Sequence, residues 1–168
     1  MNIDIGNLYF IDQKFFELVE DETLPKNKPS DQNGKHNRPA YCAIKIDQSD
    51  YYWVIPVSSK VEKYQRLYDK TMKRYNRCDT IEFGYVLGKK NAFLIQNMFP
   101  VTKEYFINVY IDKNTNQPIE LSKKLKKNLH AKANRVLSLY KIQGIKLMFT
   151  DVEKILEKLK VRPKHDFF

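Results

Sequence analysis

Two short stretches hold residue types that could manage a phosphodiester without a metal ion: His36-Asn37-Arg38-Pro39-Ala40-Tyr41 and Ile55-Pro56-Val57-Ser58-Ser59-Lys60. RNA carries its own nucleophile. Attack of a 2′-OH on the adjacent phosphate leaves a 2′,3′-cyclic phosphate and a 5′-OH. A protein promoting that step must hold the groups in line, move a proton from the 2′-OH to the leaving oxygen, and stabilise charge on the phosphorane. Ser58, Ser59 and Lys60 fall where a strand should end and a helix begin, so hydroxyls, backbone N–H groups and an ammonium could converge on one anion. Arg38 could grip a phosphate, and Tyr41 could stack on a base. His36 is an acid–base candidate, since an imidazole titrates near neutrality.

Each residue also has a plainer reading. A serine before an amphipathic helix is an ordinary N-cap, and Lys60 is then a solvated charge. Arg38 could be a surface charge or half of a salt bridge, Tyr41 a wall of the core, and His36 a solvated loop residue. A cap and an anion site use the same N–H groups, so the two readings of the serines coexist. Metal chemistry finds little here. His36, His130 and His165 lie in unrelated segments, H-E-x-x-H and Walker patterns are lacking, and Asp47 and Glu82 read as surface strand carboxylates. No metal and no cofactor are expected.

The elements that would position these groups follow from periodicity. Residues 7–11 read as a strand, and Asp12 can cap a brief helix carrying Phe15, Phe16 and Val19. Residues 20–37, rich in Pro, Gly, Asn and Lys, read as one long surface loop. Residues 40–46 and 51–57 form a hairpin, with Pro56 at an edge or exit position. Ser58 or Ser59 then caps a helix whose apolar stripe is Val61, Tyr64, Tyr68, Met72 and Tyr75. A second hairpin joins 80–87 to 91–96 across Gly88-Lys89-Lys90, and 106–111 supplies a last strand. After Pro118 a long helix shows Leu121, Leu125, Leu129, Ala133, Val136, Leu137 and Tyr140 on one face. Gly144 ends or interrupts it, and Thr150 or Asp151 caps a final helix reaching Lys160. Strands first and helices later make an α+β fold. The expected architecture is a compact, strongly bent antiparallel sheet of about five strands, like a small barrel, with added helices.

The 168 residues suit a single domain, and 42% hydrophobic residues are enough to build its core. Thirty Lys and Arg against twenty Asp and Glu give a formal net charge of +10. Such a balance favours a polyanionic partner through counterion release. Lys63, Arg66, Lys70 and Arg74 on the first basic helix, and Lys123 and Lys127 on the late one, could track an RNA backbone. Cys42 and Cys78 match no zinc or redox spacing, and each reads as a small, at least half-buried side chain in a reduced setting. No signal peptide or membrane span is evident, so a cytoplasmic protein is expected.

The ordered set Arg38-Pro39-Ala40-Tyr41, Ile55-Pro56-Val57-Ser58-Ser59-Lys60 and Leu94-Ile95-Gln96-Asn97-Met98-Phe99-Pro100-Val101 resembles the ToxN/AbiQ/CptN family of type III toxin–antitoxin and abortive-infection toxins. The resemblance runs from about residue 5 to 160 and rests on order and spacing together. It implies a fold similar to the Kid/MazF toxin barrel with extra helices, and a metal-independent endoribonuclease leaving cyclic phosphate ends. It also implies a small structured repeat RNA as antitoxin, which the toxin processes and joins in closed, cyclic protein–RNA complexes. Ser59 matches the family serine after the strand-ending proline, and Ser58 the Thr or Ser before it. Arg38 falls near the family's basic residue and Tyr41 near its aromatic. The family pattern often has a proline between serine and lysine. Here Lys60 follows Ser59 directly, so either Lys60 or Lys63 takes the functional lysine's place. On this resemblance Ser59 orients the 2′-OH or the scissile phosphate, Lys60 and Arg38 meet negative charge, and Ser58 adds a donor. The alternative is a non-catalytic basic RNA-binding module. A membrane-surface role is disfavoured, because the basic helices carry little surplus apolar area.

Overall fold

The central strands are apolar on both sides, and that property sets the architecture. In the computed structural model, which describes residues 1–25, 27, 38–46 and 49–160, Leu8 and Tyr9 are both buried but belong to different hydrophobic clusters, as do Trp53 and Val54. Side chains alternate across a strand, so each face of the sheet needs its own helical cover.

The chain runs β1 (Leu8–Ile11), α1 (Gln13–Val19), β2 (Pro39–Lys45), β3 (Tyr51–Ser58), α2 (Val61–Tyr75), β4 (Glu82–Val86), β5 (Lys89–Phe93), β6 (Phe99–Thr102), β7 (Phe106–Val109), β8 (Ile111–Asp112), β9 (Gln117–Pro118), α3 (Lys123–Gln143) and α4 (Val152–Lys160). Seven strands form an antiparallel sheet in the order β4-β5-β3-β2-β1-β7, with β6 also paired to β3. One cluster lies between this sheet and α3, where Tyr41, Ile55 and Phe93 meet Leu129, Ala133 and Val136. The other packs Val54, Phe99 and Val101 against Phe15 and Val19 of α1 and Ile155 of α4. The α+β class and bent antiparallel sheet are as expected, but the sheet is larger than five strands, and β4 and β7 end its path of paired strands.

β3 explains the bend. Its first half, Tyr51 to Val54, pairs with β6, and its last residues, Val57 and Ser58, pair with β5. Pro56, which has no N–H to give a ladder, sits between the two registers. The expected edge or exit residue is therefore the point where β3 changes partners.

Other expectations met the local chemistry. Asp12 caps α1 by accepting from the Lys14 N–H at 2.9 Å, and Gly144 ends α3 at φ +65°. Asp151 caps α4, its Oδ1 accepting from the Lys154 N–H at 3.2 Å. The turn of the second hairpin is Leu87-Gly88 and not Gly88-Lys89-Lys90, because Val86 pairs with Lys89 and Tyr85 with Lys90. Beyond Phe93 the chain leaves the sheet in a 3-10 turn, Ile95–Asn97, and the small β8–β9 hairpin follows β7. Of the segment 20–37, residues 20–25 and 27 are described. Leu24 there is buried in the α1–α4 cluster, so this part is not the bare surface loop its composition suggested. The remainder of that segment, His36, Asp47 and residues 161–168 lie outside the described residues. Both cysteines are free and buried, and burial pushes the Cys42 thiol up to about 12.

Candidate active site

The strand-to-helix corner forms because β3 ends at Ser58 and α2 begins almost at once. Ser58 is only 3% exposed, and its hydroxyl accepts the Lys60 N–H at 3.2 Å. That local bond turns the chain out of the sheet. The Val61 N–H donates to the Ser59 carbonyl at 2.9 Å and the Tyr64 N–H to the Lys60 carbonyl at 3.3 Å, so the first helical turn starts at Lys60. Lys60, with no side-chain cap bond, occupies the N-cap position expected for Ser58 or Ser59. The correction has a simple cause. Ser58 is spent as the last strand residue, which leaves Ser59 and Lys60 exposed at the mouth of the helix.

Arg38 enters from the neighbouring strand. Ala40 pairs with Pro56, which sets Arg38 beside the end of β3, and its Nη1 donates to the Val57 carbonyl at 3.1 Å. Its Nε is buried and has no partner among the described residues. Burial lowers the Arg38 pKa, with Tyr64 of α2 acting the other way. An arginine still keeps its charge under those conditions. One edge of the guanidinium is thus tied to the main chain, and the fork retains donors for an anion.

Tyr41 goes elsewhere. Strand alternation and the α3 cluster place it with Val57 and Phe93 on the face away from Ser58. It is 0% exposed, and its ring meets Phe93 and His130 edge-on. Nothing of that ring is open to a base in this arrangement. Its hydroxyl lies 3.1 Å from His130 Nε2. Burial raises the phenol pKa strongly, while burial first and Lys126 second lower that of His130. A phenol O–H donating to a neutral imidazole is the pairing those directions favour. His130 carried no argument from sequence. Its only signal was its place one residue after Leu129 on the apolar stripe of the late helix.

The remaining candidates divide between two helices. Lys63, Arg66, Lys70 and Arg74 are exposed along α2, with Lys63 over the Tyr64 ring at 5.2 Å and Arg74 over Tyr75 at 5.1 Å. Lys123 and Lys127 are exposed at the start of α3. The structure therefore unites Arg38, Ser58, Ser59 and Lys60, continues them along α2 with Lys63, and separates Tyr41 from them. Among the described residues no three His, Cys, Asp or Glu side chains gather to hold a metal, and no helix is long and apolar enough to cross a membrane.

These elements define a class of fold: a bent antiparallel sheet with a helix layer on each face. Among solved structures it is similar to AbiQ, a lactococcal anti-phage endoribonuclease of the type-III toxin–antitoxin system, with a TM-score of 0.64 over 94% of this chain and 97% of that one. Identity is 16%, so the likeness is one of fold. No protein-family model and no curated protein matches the sequence.

Proposed function

We propose that the chain is an endoribonuclease toxin of a type III toxin–antitoxin system, acting in the cytoplasm without a metal ion. The observation that carries this reading is the meeting of Arg38 with Ser58, Ser59 and Lys60 at one strand-to-helix corner, on a fold that AbiQ shares. In this reading an RNA phosphate sits against the exposed Ser59 hydroxyl, the Lys60 or Lys63 ammonium and the free edge of Arg38. Ser59 holds the 2′-OH or a phosphate oxygen in line. The cations stabilise the charge that grows on the phosphorane, where preorganised donors act most strongly. Attack by the 2′-OH leaves a 2′,3′-cyclic phosphate and a 5′-OH. The same protein would process a repeat RNA antitoxin and assemble with it into a cyclic protein–RNA complex that blocks the corner.

One observation favours the second reading, a non-catalytic RNA-binding module. His130, the one histidine among the described residues, is engaged with Tyr41 on the far side of the sheet. It therefore offers no general base at the corner. Cleavage assays separate the readings. Wild-type protein should cut a single-stranded RNA to cyclic phosphate ends, leave its 2′-deoxy counterpart intact, and lose cutting in Ser59→Ala. Binding without cutting would favour the module, and cutting of the deoxy strand would exclude 2′-OH attack.

A further inference from the structure

A second site lies beyond the corner, around the β4 edge of the sheet, where the corner's face meets the α3 side. Ser58 pairs with Ala92 and Ala92 with Phe83, so one cross-strand row leads from the corner to the edge strand β4. At the strand spacing of a sheet that is about 10 Å. From Phe83 the same face continues to Tyr85 and its partner Lys90, while Gly84 and Val86 turn towards α3. There a cleft of about 950 Å³ opens between this hairpin, the β8–β9 hairpin and the first turns of α3.

The cleft wall has three features that folding does not require. Tyr85 lines it yet remains 64% exposed, an aromatic ring that the core does not use. Leu87, also at the wall and 50% exposed, occupies the first position of the two-residue turn at φ +50°, followed by Gly88 at φ +75°. Two positive φ values in a two-residue hairpin define the turn that prefers Asn-Gly, and a leucine there is strained. A hydrophobic side chain kept in a disfavoured conformation on the surface points to a use outside the fold. Cations complete the wall. Lys90 sits over the Phe83 ring at 5.1 Å, and Lys124 of α3 has no ion pair among the described residues. The nearby carboxylates are mostly engaged: Glu82 pairs with Lys132 at 3.2 Å and Glu120 with Lys126 at 3.3 Å, and Asp112 accepts the Asn114 N–H at 2.8 Å.

We propose that this cleft binds a nucleotide of a single RNA strand, its base against Tyr85 and Leu87 and its phosphate between Lys90 and Lys124. Asn128, also on the wall, presents an amide to the base edge. An aromatic face beside lysines is the chemistry by which single strands are held without sequence reading, and the amide adds a preference. The continuity of this subsite with the corner rests on the reading of the protein as an RNA nuclease. Binding in the cleft does not.

The test uses the full chain and a 2′-O-methyl single-stranded RNA oligonucleotide, which has no free 2′-OH to attack, with affinity read by fluorescence anisotropy across salt. Tyr85→Ala should weaken binding about 5- to 150-fold, the range for loss of one stacked base, without changing the salt slope. Tyr85→Phe should restore it. Lys124→Ala should flatten the slope by about one unit. Leu87→Asn, which installs the preferred Asn-Gly turn, should raise the melting temperature and yet lower affinity, a split that a purely structural residue would not show. Binding by all these variants equal to wild type overturns the cleft, whatever the nuclease does. Tight wild-type binding that depends on Tyr85, with no cleavage of unmodified RNA, keeps the cleft and removes the nuclease reading. Protection of Tyr85 by a protein partner instead of by RNA would also overturn the proposal.

Discussion

α2 and α3 look alike in sequence and differ in the molecule. Both repeat apolar groups every three or four residues, and both crowd lysine and arginine on the other faces. α3 buries Leu125, Leu129, Ala133, Val136 and Leu137 against the sheet, whereas α2 buries no residue at all. Periodicity reports which side of a helix meets protein. It does not report how deeply. The aliphatic stripe of α3 can be sealed in a core. The stripe of α2 is mostly tyrosine, Tyr64, Tyr68 and Tyr75, whose hydroxyls and flanking cations hold it at the surface, with Tyr68 resting edge-on against Phe83 at 5.5 Å. The lesson is that α3 holds the fold together, while α2 is free to present Lys60 and its basic face.

The sharpest way to break this contrast is paired truncation. Leu129→Ala in α3, at a fully buried site, should cost about 2–5 kcal/mol in urea denaturation. Leu67→Ala in α2, at a site 41% exposed, should stay within about 0.5 kcal/mol. Gly84→Ala tests the same packing from the strand side, since a methyl group there would overlap Leu125. Overpacking of that kind costs about 1–3 kcal/mol. Equal losses at Leu129 and Leu67 would place α2 in the core after all.

Activity should divide the other way. Ser59→Ala removes an exposed hydroxyl at the start of α2 and should lower the cleavage rate about 10²- to 10³-fold, the scale of a lost charge-stabilising donor. Its unfolding free energy should match wild type. Lys60→Ala and Lys63→Ala, compared in the same assay, decide which lysine serves the corner. A smaller effect is expected along the helix. Replacing Arg66, Lys70 and Arg74 together should reduce the salt slope of RNA binding by about three units if each meets a phosphate, and an unchanged slope would mark that face as solvated charge.

How much of this was legible beforehand depended on whether the signal was local. The Asp12 cap, the Gly144 stop and the stripe of α3 are settled by neighbours in the chain, and they appear where the residues say. So does the closeness of Arg38 to the serines, because hairpin register follows from the hydrophobic pattern of two adjacent strands. The partner change at Pro56 was not legible, since it depends on β5 and β6, which come about forty residues later. Tyr41 shows the limit most clearly. Its type and its nearness to Arg38 suggested one shared site, but alternation on β2 turns it to the other face, and only the docking of α3 reveals His130 as its partner. Leu87 is the converse case. Gly88 hid the turn by one residue, because a leucine is not the residue expected at a positive φ.

The Tyr41–His130 contact offers the mildest and most specific test of the two-helix contrast, because it is a polar tie on the helix that builds the core. Burial and Lys126 hold the His130 pKa below its ordinary value near 6.5 in the folded chain. As the pH falls, the unfolded chain therefore takes up this proton first, and stability drops from about pH 6.5 downward until the folded-state pKa is passed. Above that window the contribution is complete. Protonation would also turn Nε2 from acceptor to donor, reversing its bond with a phenol whose own proton burial holds in place. His130→Gln keeps a group able to bond the Tyr41 hydroxyl but cannot titrate. Between about pH 7.5 and roughly pH 5 it should lose less unfolding free energy than wild type, measured by urea denaturation at each pH. A mutant and wild type that decline in parallel would show that the imidazole feels no more than ordinary solvent, and would leave the docking of α3 to its apolar stripe and the Lys132–Glu82 pair.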